Sequence, residues 1–218
     1  MHIADGFLEA PVLAATAVIS AGVVTMAART TQPRELASPM VGASAAFVLA
    51  AQMVNFPVAS SVSGHIIGGV LVAILLGWRV SVLVMTAVLM IQALVFQDGG
   101  IAALGANILN LGIVGPGVGY LIFRLFKGNT TTGWNKRCAI GAFLGGWTAS
   151  VIAALMAAMQ LWLSGQAELK PILLLMFGVH AVIGLAEGGA TLLIARFLTR
   201  HQSSSCEDFS QAPGGSFS

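Results

Sequence analysis

The sequence predicts an all-α integral membrane protein, a bundle of about seven transmembrane helices, and three observations carry that expectation. Ten Lys plus Arg and eight Asp plus Glu leave only 8% of the 218 residues charged, against about 25% in soluble domains. Hydrophobic residues make up 57% of the chain, more than a soluble fold of this size could bury. They fall in long runs without period-two alternation, which argues for helices over a membrane barrel. The same figures exclude a disordered chain, a disulfide-stapled scaffold and a basic nucleic-acid binder. Cys138 and Cys206 form no Cys-x-x-Cys motif and so indicate neither a metal pair nor a redox compartment.

Crossing about 30 Å of hydrocarbon takes about 20 helical residues. The candidate runs, in chain order, are 8–28, 36–54, 64–77, 80–96, 101–123, 138–163 and 171–195. Thr31-Gln-Pro33 closes the first run and Asn55-Phe-Pro57 the second. The third is short and reads as either a spanning or a re-entrant segment. Asp98-Gly-Gly100 follows the fourth, Lys127-Gly-Asn129 the fifth and Ser164-Gly165 the sixth. Residues 1–199 therefore form one polytopic membrane domain, and the Ser/Gly-rich tail 200–218 is expected to be disordered.

Charge placement favours seven crossings. With the N-terminus outside, the inner loops and tail hold Arg29, Arg34, Arg79, Arg124, Lys127, Lys136, Arg137, Arg196 and Arg200, and only Lys170 falls outside. That asymmetry follows the positive-inside rule and puts the C-terminus in the cytoplasm. The opening Met-His-Ile-Ala-Asp-Gly-Phe-Leu-Glu lacks the basic region of a signal peptide. No Gly-x-x-x-x-Gly-Lys-Ser/Thr motif is present, so ATP-driven work would need another chain. Small residues at four-residue spacing (Gly64/Gly68, Gly115/Gly119, Gly141/Gly145, Gly184/Gly188) read as close helix packing.

Polar side chains within apolar runs are costly and therefore informative. They are His65, Gln52, Asn55, Gln92, Asn107, Asn110, His180 and Glu187. Asn107 and Asn110 read as packing hydrogen bonds, and so do His180 and Glu187, which share one helix face. Asp98-Gly-Gly100 reads as a tight outer turn.

The extreme N-terminus is chemically richer. A free Met1 amine and the His2 backbone nitrogen close a five-membered ring around a metal. The same backbone nitrogen and His2 Nδ1 close a six-membered one. Met1 is expected to be retained, because its removal normally requires a small second residue. One further imidazole would complete a square of nitrogens, which suits Ni(II), Cu(II) or low-spin Co(II). Zn(II) prefers a tetrahedron. His65 falls on the same side of the membrane as the N-terminus; His180 lies deeper and is the weaker candidate.

Several blocks resemble the CbiM/NikM family. Met1-His-Ile-Ala-Asp-Gly-Phe7-Leu8 is similar to its opening, and Asn55-Phe-Pro-Val58, Ser63-Gly-His65, Gln92 through Asn107 and His180 through Gly188 match further blocks. The likeness covers about residues 1–199. It implies the substrate-capture component of an energy-coupling factor transporter for Co(II) or Ni(II), in a bacterial or archaeal cell membrane. The N-terminal segment would be inserted into the outer face of the bundle. Metal ligands would be Met1, His2 and His65, with Asp5, Asn55 and Gln92 as supporting groups. The implied partners are a transmembrane coupling protein, a pair of cytoplasmic ATPases and a small accessory membrane subunit. The chain would be a transport component rather than an enzyme, with no cofactor beyond its substrate ion.

Two other readings compete. One is a secondary proton-coupled ion transporter with His180 and Glu187 as relay. The other is an intramembrane serine hydrolase using Ser60, Ser61 or Ser63, but no Gly-x-Ser-x-Gly occurs. The blocks do not separate cobalt from nickel.

Overall fold

The computed structural model describes residues 1–59, 62–128 and 133–211. Helix α1 (Ala10–Thr30) is followed by the single turn α2 (Pro33–Leu36) and by α3 (Pro39–Gln52). Proline opens each of the three, where its fixed φ and missing N–H cost nothing. A short antiparallel hairpin, β1 (Phe56–Ala59) and β2 (Val62–Gly64), pairs Phe56 with Gly64 and Pro57 with Ser63. Then come α4 (Gly69–Leu76), α5 (Trp78–Ile91), α6 (Leu104–Asn107), α7 (Gly115–Lys127), α8 (Lys136–Leu163) and α9 (Leu169–Gln211). Helix α5 runs on into a π-helical turn, Gln92–Phe96, and α6 joins α7 through another, Ile108–Val114.

Five helical stretches are long and apolar enough to span a bilayer: Ala10–Thr30, Trp78–Phe96, Leu104–Lys127, Lys136–Leu163 and Leu169–Thr199. Helix α3, at 14 residues, is about 21 Å long. These six match expected runs. The third run does not form the expected helix. Only eight residues coil into α4, about 12 Å, and His65–Gly68 form no regular element, with Gly68 left-handed. Stretch and helix together still carry the chain between the two ends of the bundle. Bare backbone is tolerable at this depth because protein surrounds it: His65, Ile67, Gly68, Val70 and Leu71 are all buried.

Contacts define the two ends. At one, Arg79 Nη1 donates to the Thr30 carbonyl at 2.9 Å and Nη2 lies 3.9 Å from Glu35. Gly77, Trp78, Tyr120 and Arg124 line the same cleft, and Lys136 and Arg196 share another beside Trp134. At the opposite end, the Glu9 N–H donates to Ser164 Oγ at 3.1 Å. Arg79, Arg124, Lys136 and Arg196, all from the expected inner loops and tail, thus lie at one end, away from Met1.

Glycines build the α7–α8–α9 seam. A Cβ on Gly119 would meet the Gly145 carbonyl, and one on Gly188 the Phe143 carbonyl. Gly68 does not pair helices; it turns the chain at φ 77 against Val48. Exposed Val18, Leu174 and Val182 lie on α1 and α9 and face outward, as lipid contact requires. Helix α9 continues to Gln211, through part of the tail expected to be disordered. Helix-tolerant Gln202–Gln211 contains no Gly or Pro to stop it. Residues 212–218 lie outside the described residues.

Candidate metal centre

The first three residues are threaded into the bundle, and Ala4 and Asp5 come back to the surface. Met1 and Ile3 have no exposed surface. Asn107 clamps Ile3 from both sides: its Oδ1 accepts from the Ile3 N–H at 2.8 Å and its Nδ2 donates to the Ile3 carbonyl at 3.0 Å. The Gly100 N–H donates to the same carbonyl at 2.9 Å. Asp5 anchors the next turn, accepting from the N–H groups of Ile101 at 2.9 Å and Ala103 at 3.1 Å. These donors precede α6, where a carboxylate is favoured by unpaired N–H groups and the helix dipole. Gly100 has no room for a side chain, since a Cβ there would collide with Asp5.

That threading places His2 against His65. The imidazoles stack with centroids 4.5 Å apart and planes 20° from parallel. His65 Nδ1 lies 2.9 Å from the Ile66 carbonyl; donating there leaves Nε2 with its lone pair. His65 Nε2 and both His2 ring nitrogens are buried without an aligned hydrogen-bond partner among the described residues. The Met1 amine donates to Ser63 Oγ at 3.4 Å. Asp98 Oδ1 sits 3.2 Å from His2 Nδ1, at ion-pair distance but not in hydrogen-bond alignment. Asn55 Nδ2 donates to the other Asp98 oxygen at 3.0 Å. Gln92 lies beside His2, fully buried, with both amide atoms unpartnered.

Electrostatics favours lone pairs over protons here. Burial holds the Met1 amine well below its ordinary pKa, with Asp98 opposing. Burial also lowers His2, against the pull of Asp98. For Asp98 itself, burial is the largest influence and raises the pKa, but His2, the amino terminus and Asn55 together outweigh it and leave the carboxylate below its ordinary value. The result is a pocket of neutral nitrogen donors beside one anion, a set suited to late first-row dications. Among the described residues no three His, Cys, Asp or Glu side chains gather to hold a metal. An ion bound here would have to draw on the amino terminus.

All six residues singled out in the sequence fall in or around this pocket: Met1, His2 and His65 inside it, Gln92 beside His2, Asn55 behind Asp98, Asp5 under the N-terminal segment. Two contributors were read differently. Asn107, taken as a packing group, is the clamp on Ile3. Asp98, taken as part of a turn, faces His2. The clue to both was their position within the block from Gln92 to Asn107. Asn110 does pack, exchanging two 2.8 Å bonds with Gln160. His180 and Glu187 do not pair: His180 Nδ1 lies 2.9 Å from the Met176 carbonyl, and Glu187 binds the backbone of Ile67 and Gly68. Of the serines weighed as nucleophiles, Ser60 and Ser61 lie outside the described residues, and Ser63 meets the Met1 amine.

Comparison with known proteins adds an independent line. A metal transport protein of Haloquadratum walsbyi is 39% identical over 195 residues, covering 88% of this chain and 86% of that one. The cobalt transport protein CbiM of Clostridium tetani is 30% identical, covering 95% of this chain and 88% of its own. The fused nickel transport protein NikMN of Archaeoglobus fulgidus is 37% identical, and this chain spans 65% of its length. The crystal structure of a transition metal transporter superposes with a TM-score of 0.83 at 29% identity, covering 99% of this chain and 100% of that one. The family profile described as "Cobalt uptake substrate-specific transmembrane region" matches residues 2–205, and the chain belongs to that family, CbiM.

Proposed function

We propose that this chain captures Co(II) or Ni(II) outside the cell and delivers it inward as the substrate-binding component of an ATP-driven energy-coupling factor transporter. The observation that carries the reading is the meeting of the buried Met1 amine, His2 and His65. The amine, the His2 backbone nitrogen, its Nδ1 and His65 Nε2 would supply the square of nitrogens. Asp5 and Asn107 would hold the N-terminal segment to that task, with Asn55, Gln92 and Asp98 around it.

The gathering of basic side chains at the opposite end supports a cytoplasmic assignment for that end, with the metal pocket outside. Because the sequence carries no nucleotide-binding loop, energy would come from a coupling protein and a pair of cytoplasmic ATPases, with a small accessory membrane subunit as a further partner. Relatives named for cobalt and for nickel transport support both ions as substrates. The proton-coupled alternative loses support from the separate engagements of His180 and Glu187.

Metal content of the purified chain with a free N-terminus tests the reading, beside a variant extended by residues ahead of Met1. One Co(II) or Ni(II) per chain in the first and none in the second is expected. Equal loading of both would end the proposal.

A further inference from the structure

Glu187 sits midway along α9 with 1% of its surface exposed. Its Oε2 accepts from the Ile67 N–H at 2.7 Å and its Oε1 from the Gly68 N–H at 2.9 Å. Those donors belong to the non-helical stretch between His65 and α4. From the other side, Gln52 Nε2 of α3 donates to the Ile67 carbonyl at 2.6 Å. The peptide groups just after His65 are therefore gripped by α9 and α3 together. His65 Nδ1 is tied to the Ile66 carbonyl, so the aim of Nε2 follows the backbone those helices hold.

A carboxylate in the middle of a membrane helix is expensive. A glutamine would be cheaper, but where the carboxylate offers an oxygen to each of the two adjacent N–H groups, an amide in the same pose turns its NH2 toward one of them, donor against donor. Two oxygens on one side chain avoid that clash. Helix α9 also runs from Glu187 to Arg196 at the basic end, bound tightly to α8 where Gly188 meets Phe143 and Gly184 meets Trp147. Any shift of α9 at that end acts on Ile67 and Gly68 through the same carboxylate.

We propose that Glu187 is a positioning residue for His65, holding the imidazole in its binding direction from α9 and making α9 the element through which events at the basic end reach the metal. This rests on the reading of Met1, His2 and His65 as metal donors.

The test is titration of purified full-length protein, free at its N-terminus, with Ni(II), reading the dissociation constant and the visible spectrum of the bound ion. Glu187→Gln should weaken binding about 10-fold and Glu187→Ala about 100-fold, the range seen for groups that orient metal ligands. Both should alter the spectrum. Gln160→Leu, which breaks the buried amide pair with Asn110 and none of the hydrogen bonds that hold Ile67 and Gly68, should change neither readout. Wild-type affinity and spectrum in the Glu187 variants would overturn the proposal, as would an equal loss in Gln160→Leu. Should Glu187→Ala fail to insert, the Glu187→Gln comparison decides alone. If the wild-type chain binds no Ni(II), the metal reading itself has failed and this proposal falls with it.

Discussion

His2 and His65 hold their imidazoles face to face, 4.5 Å between centroids, in a pocket where both are buried. Two imidazolium ions would repel at that separation, so the stack needs at least one neutral ring. Neutral rings keep lone pairs for a metal. His2→Ala and His65→Ala should therefore each lower Ni(II) or Co(II) affinity at least 100-fold while leaving the protein inserted. Metal content after gel filtration reads this directly, and a fully loaded His65→Ala chain would contradict it.

Protons and metal compete for the same nitrogens. Burial lowers the pKa of both the Met1 amine and His2, so near neutrality those two groups have few protons to give up, and the His2 backbone N–H is the proton that binding must release. Competition from protons at the amine and the imidazole sets in once pH falls through those lowered values. The midpoint of Ni(II) loss should thus lie at lower pH than for a free Met-His-Ile peptide. Parallel titrations check this; coincident midpoints would refute it.

Asn107 supplies both hydrogen bonds that clamp Ile3. Asn107→Ala leaves a buried N–H and carbonyl without that partner, a loss of about 2–3 kcal/mol. The variant should melt earlier in detergent and bind metal more weakly, because its N-terminal segment is no longer fixed. An unchanged Tm together with unchanged affinity would show that the clamp is dispensable.

Two glycines offer a matched comparison. Gly100→Ala drives a methyl group into Asp5, whereas Gly22→Ala in α1 meets nothing within 4 Å. The first should cost at least 10-fold in metal affinity. The second should leave binding alone and stabilise α1 by up to about 1 kcal/mol. Equal behaviour of the two would mean that the packing of Asp5 on Gly100 does not matter to the pocket.

Long apolar runs made six helical segments legible, five of them long enough to span, because an isolated helix in lipid needs only its own hydrogen bonds. The run 64–77 has the same composition, yet only Gly69–Leu76 of it is helical. Its N–H and carbonyl groups are satisfied by Glu187 and Gln52, partners that no local pattern reveals. The same contrast holds at the pocket. The chelating potential of Met1-His2 is local and could be read from covalent geometry. The proximity of His65 followed from counting crossings. The clamp of Asn107 on Ile3 and the approach of Asp98 to His2 join the chain's start to distant segments, and only the folded chain displays them.

Met1, with none of its surface exposed, is out of reach of bulky reagents while it stays docked. Its amine is therefore shielded for as long as the segment keeps its place in the bundle. The rate at which an amine-selective label attaches there would then count departures of the segment, and each departure is an opening through which the proposed centre could gain or lose its ion.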